Sequence, residues 1–329
     1  MSAISDETQE HIELLSSLPK GNGWGLADLC QYQGFWCASD RLGSIVTFQK
    51  EFKPLETDLI LATLPKSGTI WLKSMVYATV NRVRFPPASE KHPLLTTSAH
   101  DLVPFLEYYL EYGTYNSFSN FNANFQSPKS RLFSTHVPYA LLPESVKNAT
   151  NSPKIVYLCR NPKDNFVSLW HFFNKRGSNI TNPLPLEKVL ELYCRGESWY
   201  GPLWDNMLGY WKASLETPSK VLFLKYEELK KEPKFHLKRL AEFLGCPFSL
   251  EEEENGGTID EILRLSSFEF MKNLDVNKNG ITPLKFRSNI YFRKGEVGDW
   301  KNHLTASMAE RIDRVFEEKM HGSGLLFDA

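Results

Sequence analysis

Three apolar runs, each about one strand long and each followed by a helix-like segment, constrain this chain more than any other feature. They are DLILATL (58–64), KIVYLCR (154–160) and KVLFLKY (220–226). Their apolar residues are continuous rather than alternating, which is the pattern of strands covered on both faces. A shorter run, RLFSTH (131–136), is a fourth candidate. Strand, loop and helix in repetition predict an α/β fold whose central, mostly parallel sheet is flanked by helices. Ahead of the first run, ETQEHIELLSSL reads as a helix within a flexible segment 1–17, and LCQYQGFWC is apolar and aromatic. No internal repeat breaks the 329 residues, so the chain reads as one domain. The polar, aperiodic stretch around 275–290 reads as a mobile loop over a site.

In such sheets ligands bind outside the carboxyl ends of the strands. At those ends stand Lys66-Ser67-Gly68-Thr69, His136, Arg160 and Tyr226. Core packing alone does not call for charged and polar groups there. The net charge is only −1, so nothing in the whole molecule points to nucleic acid or an anionic membrane, and an anion site must be local. The first turn supplies one. A strand that turns tightly into a helix leaves backbone N–H groups unpaired and adds the positive end of the helix dipole. Gly68 lets the backbone approach an anion, Lys66 adds a full charge, and Ser67 and Thr69 add hydroxyls. The loop has the physics of a P-loop without the GxxxxGK[ST] spelling. Arg160 at a strand end and Ser168 about two helical turns further on can grip a phosphate from two sides. Arg293-Lys294-Gly295, in FRKGEVGDW, offers two cations beside a flexible glycine.

PKSGTxW near the first strand, CRNPKDNFVSLWHF in the middle and FRKGEVGDW near the end, in that order, resemble the cytosolic sulfotransferases. QGFWC, HPLLTTSAHDLVPFLE and GPLWDNMLGYW resemble the plant branch of that family. The resemblance implies a nucleotide-kinase-like fold and transfer of a sulfonate from 3′-phosphoadenylyl sulfate (PAPS) to an acceptor hydroxyl, leaving 3′,5′-adenosine bisphosphate (PAP). Carried onto this sequence, Lys66, Ser67, Gly68, Thr69 and the amide of Ile70 hold the 5′-phosphosulfate. Arg160, Ser168, Arg293, Lys294 and Gly295 hold the 3′-phosphate. Trp71, Tyr226 and Phe268 border the adenine, with Ser266 near it. His136 is the base, Lys66 stabilises the leaving oxygen, and Ser168 restrains Lys66 until the acceptor arrives. No metal is implied.

Two positions depart from the family pattern: Ile70 stands where a second threonine is usual, and Ser134 where many members carry a lysine. Aromatic residues Phe35, Trp36, Phe105, Tyr108, Tyr139 and Phe172 predict a lining for a small, mostly apolar acceptor. Hydroxyjasmonate, flavonoid and brassinosteroid types are the acceptor classes that the plant resemblance suggests. Lys301–Glu310 resembles a short dimer motif of animal members, so a monomer and a weak homodimer are both open. Five scattered cysteines with no metal-ligand spacing, and a polar N-terminus unlike a signal peptide, suggest a cytoplasmic protein without membrane contact. The rival readings are a non-catalytic PAPS or PAP sensor and a nucleotide kinase.

Overall fold

The computed structural model describes residues 6–25, 27–108, 130–147, 153–176, 185–254, 257–282 and 287–327. Three strands, β1 (Lys20–Gly21), β2 (Leu29–Tyr32) and β3 (Phe35–Ala38), form a small antiparallel sheet. The central sheet comprises β4 (Leu59–Thr63), β5 (Leu132–Thr135), β6 (Lys154–Cys159) and β7 (Val221–Lys225). Its order is β5-β4-β6-β7, and every pair is parallel, as the continuous apolar runs predict.

Successive residues of each strand serve opposite faces. Ile60, Ala62, Phe133, Ile155, Tyr157 and Phe223 belong to one core. Leu59, Leu61, Leu132, Val156, Leu158, Leu222 and Leu224 belong to the other. Helices supply the covering layers: α1 (Asp6–Ser17), α2 (Leu42–Glu51), α3 (Thr69–Val80), α4 (Pro162–Arg176), α5 (Leu203–Glu216), α6 (Pro233–Leu244), α7 (Thr258–Ser266) and α8 (Ala306–Met320). Helices α2, α4, α5 and α8 pack on the first face; α3, α6 and α7 pack on the second. Each strand is therefore buried on both sides, which fixes its position and leaves only its carboxyl end available to a ligand.

Asp58 locks the other end of the sheet. Its carboxylate is fully buried and takes two hydrogen bonds from Arg131, Nε at 2.7 Å and Nη2 at 2.6 Å, and one from the Leu55 amide at 2.8 Å. The pair ties β4 to β5 at the start of both strands. Asp58→Ala strands the arginine, and a broken buried pair costs about 3–5 kcal/mol. Because Arg131 keeps 22% of its side chain exposed, the loss should fall at the lower end, read as a drop in urea midpoint without change in slope.

Between β7 and α8, residues 275–278 form one helical turn and 288–291 another. The Ser288 amide donates to the Gly280 carbonyl at 2.9 Å, closing the base of this segment, while 283–286 lie outside the described residues. Among the described residues no helix is long and apolar enough to cross a membrane.

Candidate active site

One cavity of about 340 Å³ opens at the carboxyl edge of the central sheet, and all four strand ends reach it through Lys66, His136, Arg160 and Tyr226. The β4–α3 turn is built as the sequence predicts. Gly68 caps α3 with φ 102°, and a Cβ there would sit 2.9 Å from the Tyr226 ring. Lys66 also adopts a left-handed conformation, φ 67°, unusual for a side-chain-bearing residue and a sign that the turn is held for a purpose. Thr69 Oγ1 lies 2.8 Å from Thr63 Oγ1, so one hydroxyl of the turn is tied to the strand that precedes it. Ser67 is buried, and its Oγ accepts from Asn165 Nδ2 at 3.1 Å on α4; it braces the loop from behind and does not line the cavity.

The Lys66 ammonium lies 4.5 Å from the centroid of Phe172 and 5.6 Å from that of Tyr291. Burial, then the cations Arg160, Arg293 and Lys175, pull its pKa down to about 7. Ser168 is buried and lines the same wall, but no hydrogen bond joins it to Lys66 among the described residues. Arg160 is buried with its guanidinium 4.6 Å from the Tyr226 centroid; Nη2 donates to the Glu296 carbonyl at 2.5 Å, and Asp164 stands 3.8 Å away. Among the described residues its Nε has no hydrogen-bond partner.

The FRKGEVGDW segment closes the opposite rim. Arg293 and Lys294 both reach the wholly buried carboxylate of Asp299, Lys294 at 2.6 Å. Gly295 has φ 69°, and a Cβ would meet the Phe268 ring at 2.6 Å. Its carbonyl accepts from the Tyr226 hydroxyl at 2.8 Å. Trp71 meets Tyr226 edge-on at 5.2 Å, and with Phe268 these rings line one part of the cavity. Ile70 lines the cavity as well, so it stands where the family pattern has a hydroxyl.

His136 follows β5 and is buried between Phe105, 4.7 Å between centroids, and Tyr200, 5.4 Å. Its Nδ1 lies 2.7 Å from the Thr63 carbonyl, which can only accept, so Nδ1 carries the proton and Nε2 keeps its lone pair. Burial lowers the imidazole pKa to about 3 against the pull of the Thr63 carbonyl, so the ring is neutral throughout the neutral range. The backbone is fixed too: the His136 amide donates to Glu107 Oε1 at 2.7 Å. Ser134 is turned away, its Oγ within reach of the Val103 and Pro104 carbonyls at 3.2 and 3.1 Å, so this position adds no cation to the site.

Of the other residues singled out by sequence, Phe105, Tyr108 and Phe172 line the cavity, whereas Phe35, Trp36, Tyr139 and Ser266 do not. The Trp36 strand hydrogen-bonds to the 200–201 segment, which places Trp199 and Tyr200 at the wall in front of it. Tyr139 packs on Tyr210. Ser266 ends α7 with its Oγ donating back to the Ile262 carbonyl at 2.8 Å, and Ser267 takes its place at the wall. The wall also gains His100, Phe173, Met271, Tyr291 and Phe292, which the sequence does not single out as lining residues.

Comparison with known proteins agrees with this geometry. Residues 56–324 match the family model described as a sulfotransferase domain. Cytosolic sulfotransferase 12 of Arabidopsis thaliana is 49% identical over 325 residues, covering 98% of this chain and 96% of that protein. Cytosolic sulfotransferase 15 of the same plant is 46% identical, covering 97% of this chain and 87% of its own length. Among solved structures, an Arabidopsis thaliana protein described as a candidate steroid sulphotransferase superposes with a TM-score of 0.74 at 44% identity, covering 100% and 99% of the two chains. Mouse sulfotransferase SULT7A1, solved with PAP, superposes at 0.66 with 30% identity, covering 90% and 95%. On a match that spans most of the chain and relatives that agree nearly from end to end, this protein belongs to the plant cytosolic sulfotransferases and is a sulfonate-transferring enzyme.

Proposed function

We propose that this enzyme uses PAPS as donor and sulfonates a hydroxyl of a small, mostly apolar plant metabolite, of hydroxyjasmonate, flavonoid or brassinosteroid type, with His136 as the base. The observation that carries the reading is a single cavity that holds a neutral imidazole with a free lone pair on one side and Lys66 at a helix N-terminus on the other. An alcohol needs its proton removed as its oxygen attacks, and His136 Nε2 is the group to receive it. The departing phosphate oxygen gains negative charge as the sulfur–oxygen bond breaks. Lys66 and the first amides of α3 are set to meet that charge.

The donor-binding roles follow from chemistry at the rim. Arg160 and Arg293, forked and cationic, suit a 3′-phosphate, with Lys294, Ser168 and the close approach allowed by Gly295 beside them. For Arg293 and Lys294 the phosphate joins Asp299, which holds both side chains in place. Trp71, Tyr226 and Phe268 offer ring faces and edges to adenine, a contact worth about 1–3 kcal/mol per base. The mouse relative was solved with PAP, which supports the same donor chemistry here.

Incubating the protein with labelled PAPS and a panel of hydroxylated plant metabolites tests the proposal directly. Transfer to at least one acceptor, undiminished by a metal chelator, is expected. Binding of PAP without transfer to any acceptor would instead favour a nucleotide sensor.

A further inference from the structure

Lys73 is an odd residue to find in the core. It lies on α3, fully buried, and its Nζ lies 2.9 Å from His100 Nδ1 and 3.5 Å from the centroid of Phe105. Glu107 and Asp101 are the acidic groups whose charge reaches it, yet among the described residues no carboxylate forms an ion pair with it. A lysine buried without a counter-ion is costly, and an apolar residue would fill the space at less expense. Burial accordingly drives its pKa well below the ordinary value. The ammonium form can only donate to His100 Nδ1, and the neutral amine can donate there as well as accept.

That hydrogen bond sets the second imidazole. When Lys73 donates and Nδ1 accepts, Nε2 of His100 carries the proton, and among the described residues this buried nitrogen has no hydrogen-bond partner. His100 lines the main cavity and also a side pocket of about 50 Å³, so it stands on the partition between them. Its ring is packed against Phe105 at 5.2 Å and Tyr291 at 4.7 Å, and Phe105 also contacts His136 at 4.7 Å. Two imidazoles of opposite polarity therefore contact one phenyl ring. His136 offers a lone pair, suited to a hydroxyl proton; His100 offers an N–H, suited to an oxygen that accepts.

We propose that His100 is an acceptor-recognition residue, with Lys73 as its positioning residue. It selects acceptors that carry a hydrogen-bond-accepting oxygen, carboxylate or carbonyl, apart from the hydroxyl that is sulfonated. This deepens the proposed function and rests on its assignment of the cavity to the acceptor. A site built to pair a polar group discriminates strongly against the analogue that lacks it, because its own buried group is then left unpaired.

The test is calorimetric binding to the PAP-loaded protein, which needs no turnover. The probes are a medium-chain ω-hydroxy carboxylic acid, its methyl ester and the corresponding primary alcohol. Wild-type protein should bind the acid about tenfold or more tighter than the alcohol. The ester separates the two oxygens: acid-like binding identifies a carbonyl, alcohol-like binding a carboxylate. His100→Leu, or His100→Phe if the first variant fails to fold, should bring the acid-to-alcohol ratio near one. His100→Gln should restore part of it through its amide N–H, and Lys73→Met should reduce it while PAP affinity stays at the wild-type level. A ratio near one in the wild type, or an unchanged ratio in the His100 variants, overturns the proposal. A separate assay of labelled sulfonate transfer reports on the enzyme reading by itself, so failure of either is recognisable.

Discussion

His136→Asn should lower kcat by about 10²–10⁴ while leaving PAP affinity unchanged. Asparagine can keep a side-chain N–H toward the Thr63 carbonyl, which His136 Nδ1 reaches at 2.7 Å, so the backbone and the Phe105–Tyr200 packing have little reason to move. What disappears is Nε2 and its lone pair. The effect is thus confined to the proton transfer, and calorimetric titration with PAP beside steady-state kinetics separates it from a folding defect. The pH profile adds a second reading. Because the imidazole pKa is held near 3, chiefly by burial, protonation of His136 should not limit kcat/KM until the pH is far into the acid range. An acidic limb near the ordinary histidine value, or loss of PAP binding equal to the loss of turnover, would remove His136 from the role of base.

The central sheet was legible because both of its faces are covered. Continuous runs such as LILAT and IVYLC fit strands covered on both faces, and they form β4 and β6. The small sheet was not read as such, although its signal was present. Gln33 and Gly34, with φ of 49° and 87°, make a two-residue turn between β2 and β3, and LCQYQGFWC is short enough to hide it inside an aromatic cluster. Missing that turn had a consequence at the site. Phe35 and Trp36 were read as cavity lining, whereas β3 pairs with the 200–201 segment and sends Trp199 and Tyr200 to the wall in its place.

Legibility of the site followed distance from a strand end. Lys66, His136 and Arg160 are placed by the sheet itself, so position in a motif translates directly into position in space. His100, Tyr291 and Met271 arrive from short helical turns whose placement depends on tertiary packing, and no local pattern marks them. The Ser266–Ser267 pair shows how fine the limit is. The helix ends between them: Ser266 bonds back into α7, while Ser267 is extended and turns toward the cavity. Periodicity does not fix a helix end to one residue, and one residue decides which serine lines the cavity.

Lys66→Met should weaken PAP binding by about 10- to 150-fold, the worth of a charge-assisted hydrogen bond, and should lower kcat by a further 10²–10³, roughly. The second loss exceeds the first in origin as well as size, because charge on the departing phosphate is greatest in the transition state. Linkage gives a signature that a general loss of stability cannot imitate. In the free protein burial and the nearby Arg160, Arg293 and Lys175 hold the Lys66 pKa near 7, so above that pH the amine is mostly neutral. A bound phosphate favours the ammonium form and raises the pKa. Binding above pH 7 must then take up a proton, and Kd should rise by up to about tenfold per pH unit. Calorimetry at about pH 8 in buffers of different ionisation enthalpy measures that proton directly. Lys66→Arg, which stays charged, should keep most of the affinity and lose the proton uptake; Lys66→Met should lose both. Wild-type binding without proton uptake, together with full affinity in the methionine variant, would place the phosphosulfate somewhere other than the β4–α3 turn.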